Sequence, residues 1–182
     1  MRIPIGKLKA ILLYFTNKTD TKFLGKVKLM KLIYFLDFMH LKEYGTPVTY
    51  DAYVNLEHGP IPSTILNLVN NVIDDIDSAE LADTISIEPQ KNYNMYRILP
   101  TRIFTERDRD YLSETEMDIL KKVCVRFGDK NTEFIEKASH REAAWKETTF
   151  LQEIPYTLAA NDPDSKAQKE DIELLVKLTY GE

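Results

Sequence analysis

Three groups of residues in this chain have the types that chemistry needs. Glu57 and His58 are adjacent, an acid beside an imidazole, at the end of a run of alternating apolar residues. The end of a strand is where general acid–base residues are often carried. Ser139, His140 and Glu142 supply the types of a nucleophile, a base and an acid. Working triads draw their members from separate elements, because mutual geometry decides activity. Ser139 therefore reads equally well as a helix cap or turn residue. The third group is Lys28, Lys31 and Lys42 with Phe35, a narrow sector on a helix that is otherwise apolar. Lysines take phosphates and an aromatic ring stacks on bases. The same sector also fits a protein partner, as an aromatic anchor ringed by long charged stems.

Other chemistry finds little support. The six glycines do not form a phosphate-binding loop, and HExxH, CxxC and GxSxG are absent. His40 follows Asp37 by three positions, but it falls on an apolar helix face, which predicts a hydrogen-bonded core histidine. The single cysteine, Cys124, excludes an internal disulfide and fits a reducing cytoplasm. The expectation is a protein without catalysis, cofactor or metal. Its candidate partner-binding residues are Lys28, Lys31, Phe35, Lys42, Glu57 and His58.

The stretch that must position these residues is Lys26 to Tyr44. It contains no proline or glycine and stops at Gly45, a natural helix C-cap. Leu29, Leu32, Ile33, Leu36 and Met39 form one stripe, and Val27, Met30, Tyr34, Phe38 and Leu41 form another. A helix apolar nearly all round is a buried, central one. Before it, Ile5, Leu8, Leu12 and Phe15 repeat at helical spacing and predict a first amphipathic helix rather than a signal peptide. After it, Val48, Tyr50, Ala52, Val54 and Leu56 alternate as a half-buried strand does. The run from His58 to Pro62 breaks that strand, and Ile65, Leu68, Val69 and Val72 then face inward from a helix.

Thr84 to Glu88 and Tyr93 to Pro100 read as two short strands joined by a turn at Gln90-Lys91-Asn92. With the Val48 strand they would make a small antiparallel sheet of about three strands. Ser113 and Glu116 form a capping box that opens the next helix. Another helix begins near Asn131 or Thr132, Asn161 to Asp164 is a loop, and a last helix runs from about Ser165. The fold expected is α+β: a mostly helical single domain, 1–182, around a buried central helix.

The 182 residues carry a net charge of −5 that is unevenly spread. Residues 1–50 hold 9 Lys/Arg against 3 Asp/Glu, and residues 51–182 hold 15 against 26. Such asymmetry can steer a charged partner. The simpler reading is that the two halves complement each other in the fold. No apolar run reaches the roughly 20 residues that span a bilayer.

Three segments taken together resemble the Panacea domain family, the SocA-like antitoxins of bacterial and phage toxin–antitoxin systems. They are KLMKLIYFLDFMHLKEYGTPVT, then YDAYVNLEHGPIPSTI, and then LSETEMDILKKVCVRFGDK followed by IEKASHREAAWKET. Their order covers about residues 5–148 and leaves 149–182 as a C-terminal helical extension. The resemblance implies a small cytoplasmic protein without catalytic activity. It would neutralise a cognate protein toxin, encoded by an adjacent gene, through direct binding. The alternative is an adaptor that presents a bound partner to a protease. A hydrolase or a nucleic-acid binder is a lesser reading, and a membrane partner is not expected.

Overall fold

The structure, a computed structural model, describes residues 3–89 and 96–180. It is an α+β fold built around α2 (Lys26–Tyr44), the helix whose ends the sequence marks. Gly45 closes it in the left-handed conformation, φ 78°, and its amide reaches the Leu41 carbonyl at 2.8 Å. Glycine has no Cβ to oppose that backbone. Leu29, Leu32, Ile33, Tyr34, Phe35, Leu36, Phe38 and Leu41 are all fully buried, so the helix is covered on every side. Each such large apolar side chain contributes about 2 kcal/mol by leaving water. Helices α5 (Glu114–Phe127) and α6 (Thr132–Ser139) pack against α2, and α1 (Ile5–Lys18) packs against α5. The Ser113/Glu116 capping box opens α5, as the sequence predicts, and Asn131 caps α6.

Asp37 on α2 organises the chain that follows. Its carboxylate accepts from the amides of Val48 and Thr49, each at 2.8 Å, from the Thr49 hydroxyl, and from the Tyr53 hydroxyl at 2.7 Å. Val48 to Tyr50 is therefore not a strand. Its apolar alternation reflects a segment gathered onto a buried carboxylate, and Tyr50 takes a positive φ of 55°. Downstream, Asp51 accepts from the amides of Thr64 and Ile65 at 3.1 and 2.8 Å. It caps α3 (Ser63–Asp74), whose own N-cap, Pro62, has no polar side chain to offer.

A small antiparallel sheet of three strands forms, as expected, but from other strands than those expected, and a separate two-stranded sheet forms as well. In the first, β1 (Tyr53–Leu56) pairs with β2 (Gly59–Pro62) on one side and with β5 (Glu153–Ile154) on the other. The stretch expected to interrupt the strand is thus its hairpin partner. Gly59, at φ 92°, permits the tight turn through Glu57 and His58. The two prolines of β2 are tolerated because it is an edge strand. The second sheet is the hairpin of β3 (Ile85–Pro89) and β4 (Tyr96–Pro100), and it does not pair with β1. The turn assigned to Gln90-Lys91-Asn92 lies outside the described residues. Short helices α4 (Glu106–Arg109) and α7 (Ala143–Lys146), a 3-10 helix (Tyr156–Asn161) and α8 (Lys169–Tyr180) complete the chain. The last helix starts four residues later than Ser165.

The basic N-terminal segment is matched within the fold. Lys7 pairs with Glu116, Lys9 with Asp83, and Lys42 with Glu142, Asp162 and Asp164. No helix among the described residues is long and apolar enough to cross a membrane.

Candidate partner-binding site

The lysine sector of α2 is not a surface. Lys28, Lys31 and Phe35 are fully buried and Lys42 nearly so, because α5, α6 and the 3-10 helix close over that side. Their place among the exposed partner-binding candidates is therefore corrected. The Lys28 ammonium donates to the carbonyls of Gly128 and Lys130, at 3.0 and 2.6 Å, in the turn between α5 and α6. Burial pushes this amine down to about 8 against the pull of Asp20 and Asp129. Lys31 donates to the Pro60 carbonyl at 2.7 Å, and burial pushes it down to about 7. Phe35 lies against Phe127, ring centroids 4.4 Å apart. Lys42 sits 2.6 Å from Glu142 and 3.0 Å from Asp164, with Asp162 at 3.6 Å. Buried away from water, Glu142 is raised despite that ammonium. Among the described residues these three carboxylates gather on a side-chain cation, and no group of His, Cys, Asp or Glu is arranged to hold a metal.

The residue pairs with catalytic types are drawn apart. The His58 ring pairs with Glu136 at 3.2 Å instead of with Glu57. Ser139 is buried, and its hydroxyl donates to the Glu136 carbonyl at 2.8 Å. His140 stacks on Trp145 at 4.0 Å, while Glu142 turns to Lys42. His40 is the core histidine its position predicts. Its Nδ1 donates to the Thr46 carbonyl at 2.6 Å and its Nε2 accepts from the Thr115 hydroxyl at 3.1 Å. Burial lowers its pKa and favours that neutral form. Burial also pushes the Cys124 thiol up to about 12, so it is not a nucleophile at neutral pH.

The sequence candidates that do face outward lie on the β1–β2 turn, beside the loop that follows α7. Glu57 and His58 are exposed there, as the sequence reading requires. Beside them stand Phe150 and Leu151, 64% and 66% exposed. Leu151 holds a left-handed backbone, φ 68°, which is unfavourable for a residue with a branched side chain. Asn55 holds it in place. The Leu151 amide donates to the Asn55 carbonyl at 2.8 Å, and the Asn55 amide donates to the Gln152 carbonyl at 2.9 Å. The Asn55 side chain donates to the carbonyls of Trp145 and Thr148 and to the Thr148 hydroxyl, at 2.9 to 3.1 Å.

Two hollows meet on this face. One, of about 360 Å³, runs from Val27 and Met30 of α2 past Ile61 and Leu66 to Leu56, Glu57 and Phe150. The other, of about 510 Å³, lies between Leu56, Glu57, Trp145, Thr148 and Phe150. The turn between them is rigidly backed. A Cβ on Gly59 would lie 2.8 Å from Ser139 Oγ and 2.9 Å from Lys31 Nζ, so the turn rests directly on those buried groups. Phe150, Leu151 and Asn55 were not identified from the sequence. The one local sign was two adjacent large apolar residues after the polar run Lys146 to Thr149.

A family model described as antitoxin SocA-like, Panacea domain, matches residues 29–146, from the first turn of α2 to the end of α7. Phe150, Leu151 and the segment carrying Asp162 and Asp164 lie beyond the matched residues. No curated protein and no solved structure matches the chain.

Proposed function

Since the chain belongs to the antitoxin SocA-like, Panacea domain family, we propose that it neutralises a cognate protein toxin by binding it directly. The face that does so is the one built from the β1–β2 turn, the loop at Phe150 and Leu151, and the flanking ends of α2 and α3. The observation that carries this reading is the pinned, strained loop. Two large apolar side chains are held out toward solvent by a backbone that Asn55 secures at five points. A preorganised apolar anchor loses little entropy on docking and is the arrangement from which binding hot spots are made. Glu57 stands between the two hollows of that face, and His58 lies at its polar rim.

The role is one of binding rather than catalysis, acting in the cytoplasm, with the toxin supplied by an adjacent gene. Co-expression with the product of the neighbouring gene tests it. The expected result is growth with both proteins, arrest with the neighbour alone, and recovery of the two as a complex. A neighbour that is harmless alone, or that stays toxic without forming a complex, overturns the proposal. A complex whose toxin is degraded faster in the presence of this chain would make it an adaptor presenting its partner to a protease.

A further inference from the structure

Three residues, Leu56, Glu57 and Phe150, line both hollows of the exposed face and so occupy its centre. The Glu57 carboxylate is exposed and makes no hydrogen bond or ion pair among the described residues. The other charges on this face lie to its sides. Lys26 borders only the first hollow and donates to the Asn70 side chain at 3.0 Å. Lys146 borders only the second. His58 is held by Glu136. The face thus presents one free carboxylate between apolar walls, with a lysine at each end.

We propose that this centre takes an arginine of the protein partner, its guanidinium on the Glu57 carboxylate and its aliphatic stem against Leu56 and Phe150. The proposal rests on the toxin-binding reading only for the partner's identity. A central anion flanked by apolar surface is complementary to a cation with an apolar stem. Arginine fits better than lysine because its planar fork matches a carboxylate bidentately and stacks on an aromatic face. The flanking lysines oppose a uniformly basic partner and favour a single cation in register with Glu57. The site is also preorganised, since Gly59 and the Lys31 contact to Pro60 hold the turn that carries Glu57.

Two measurements test this separately. The first is an NMR titration of the full chain with N-acetyl-arginine amide and, in parallel, its neutral analogue N-acetyl-citrulline amide. The expected result is that arginine shifts the Leu56, Glu57 and Phe150 signals in the millimolar range, that citrulline does not, and that Glu57→Gln removes the response. Equal responses to the two amides, or an unchanged response in Glu57→Gln, overturn the proposal. The second is binding of the co-expressed toxin, where Glu57→Gln should weaken affinity at least about tenfold, equivalent to about 1.4 kcal/mol. Wild-type toxin affinity in Glu57→Gln overturns the arginine site and leaves the antitoxin reading standing. A toxin that fails to bind the wild-type chain, beside a positive arginine titration, overturns the antitoxin reading and leaves the site standing.

Discussion

Leu151 and Asn55 are joined backbone to backbone: the Leu151 amide donates to the Asn55 carbonyl at 2.8 Å, with Leu151 held at φ 68°. This bond links a strand at the heart of the first sheet to a loop nearly a hundred residues later in the chain. It explains how a left-handed leucine persists with its side chain in water. The strain costs about 1 kcal/mol or more, and the Asn55 network offsets it.

Asn55→Ala should therefore act on two levels. Loss of the side-chain amide leaves the Trp145 and Thr148 carbonyls without their donor, which costs about 2 kcal/mol of stability by urea unfolding. The loop should also loosen, seen as faster amide exchange at Leu151. Leu151→Gly, which relieves the backbone strain, should restore part of the stability but not the apolar anchor.

Phe150→Ala separates binding from folding. The ring is 64% exposed, so stability should change by no more than about 0.5 kcal/mol. Toxin affinity should fall at least about tenfold, as read by titration calorimetry. An equal loss of stability and affinity would show that the ring packs rather than docks.

Lys42→Ala should be severe. It leaves the buried carboxylates of Glu142 and Asp162 facing each other without the ammonium that balances them. Breaking such a group by removing one partner costs about 3 to 5 kcal/mol. The double variant Lys42→Met with Glu142→Gln should recover much of it, measured by chemical denaturation.

Lys31 gives the chain a pH dependence of defined sign. Its folded pKa, about 7, lies below the ordinary lysine value of 10.5 because the amine is buried. Between those values a falling pH protonates the unfolded chain but not the folded one. Its contribution to stability is thus full above about pH 10.5 and is lost as pH falls through 7. Lys31→Met should flatten that slope, so that its stability relative to wild type rises between pH 10 and pH 7 in urea titrations. Lys31→Glu, which an exposed sector would tolerate, should unfold the β1–β2 turn, because it sets a carboxylate against the Pro60 carbonyl and near Glu136.

Gly59→Ala should cost at least about 2 kcal/mol. Its φ of 92° is hostile to a Cβ, and that Cβ would meet Ser139 Oγ at 2.8 Å. Unfolding by urea measures the loss directly.

Much of this protein was determined by signals that act over a few residues. The absence of helix breakers between Lys26 and Tyr44, the stop at Gly45 and the Ser113/Glu116 capping box are local, and the structure forms α2 and α5 where they indicate. The apolar periodicity of α2 also made it central, since a helix with no polar face can lie nowhere else. The segments that resemble SocA-like antitoxins act in the same way, being helix ends, a turn and core positions. Tertiary structure decided what periodicity cannot express. Whether Lys28 is solvated or buried depends on carbonyls at Gly128 and Lys130, a hundred residues away, that satisfy its ammonium. Whether Val48 to Tyr50 is a strand depends on Asp37 taking its amides. The exposed face arises only when β1 brings Asn55 to the loop at Leu151, because a side chain's exposure is set by what the distant chain leaves uncovered.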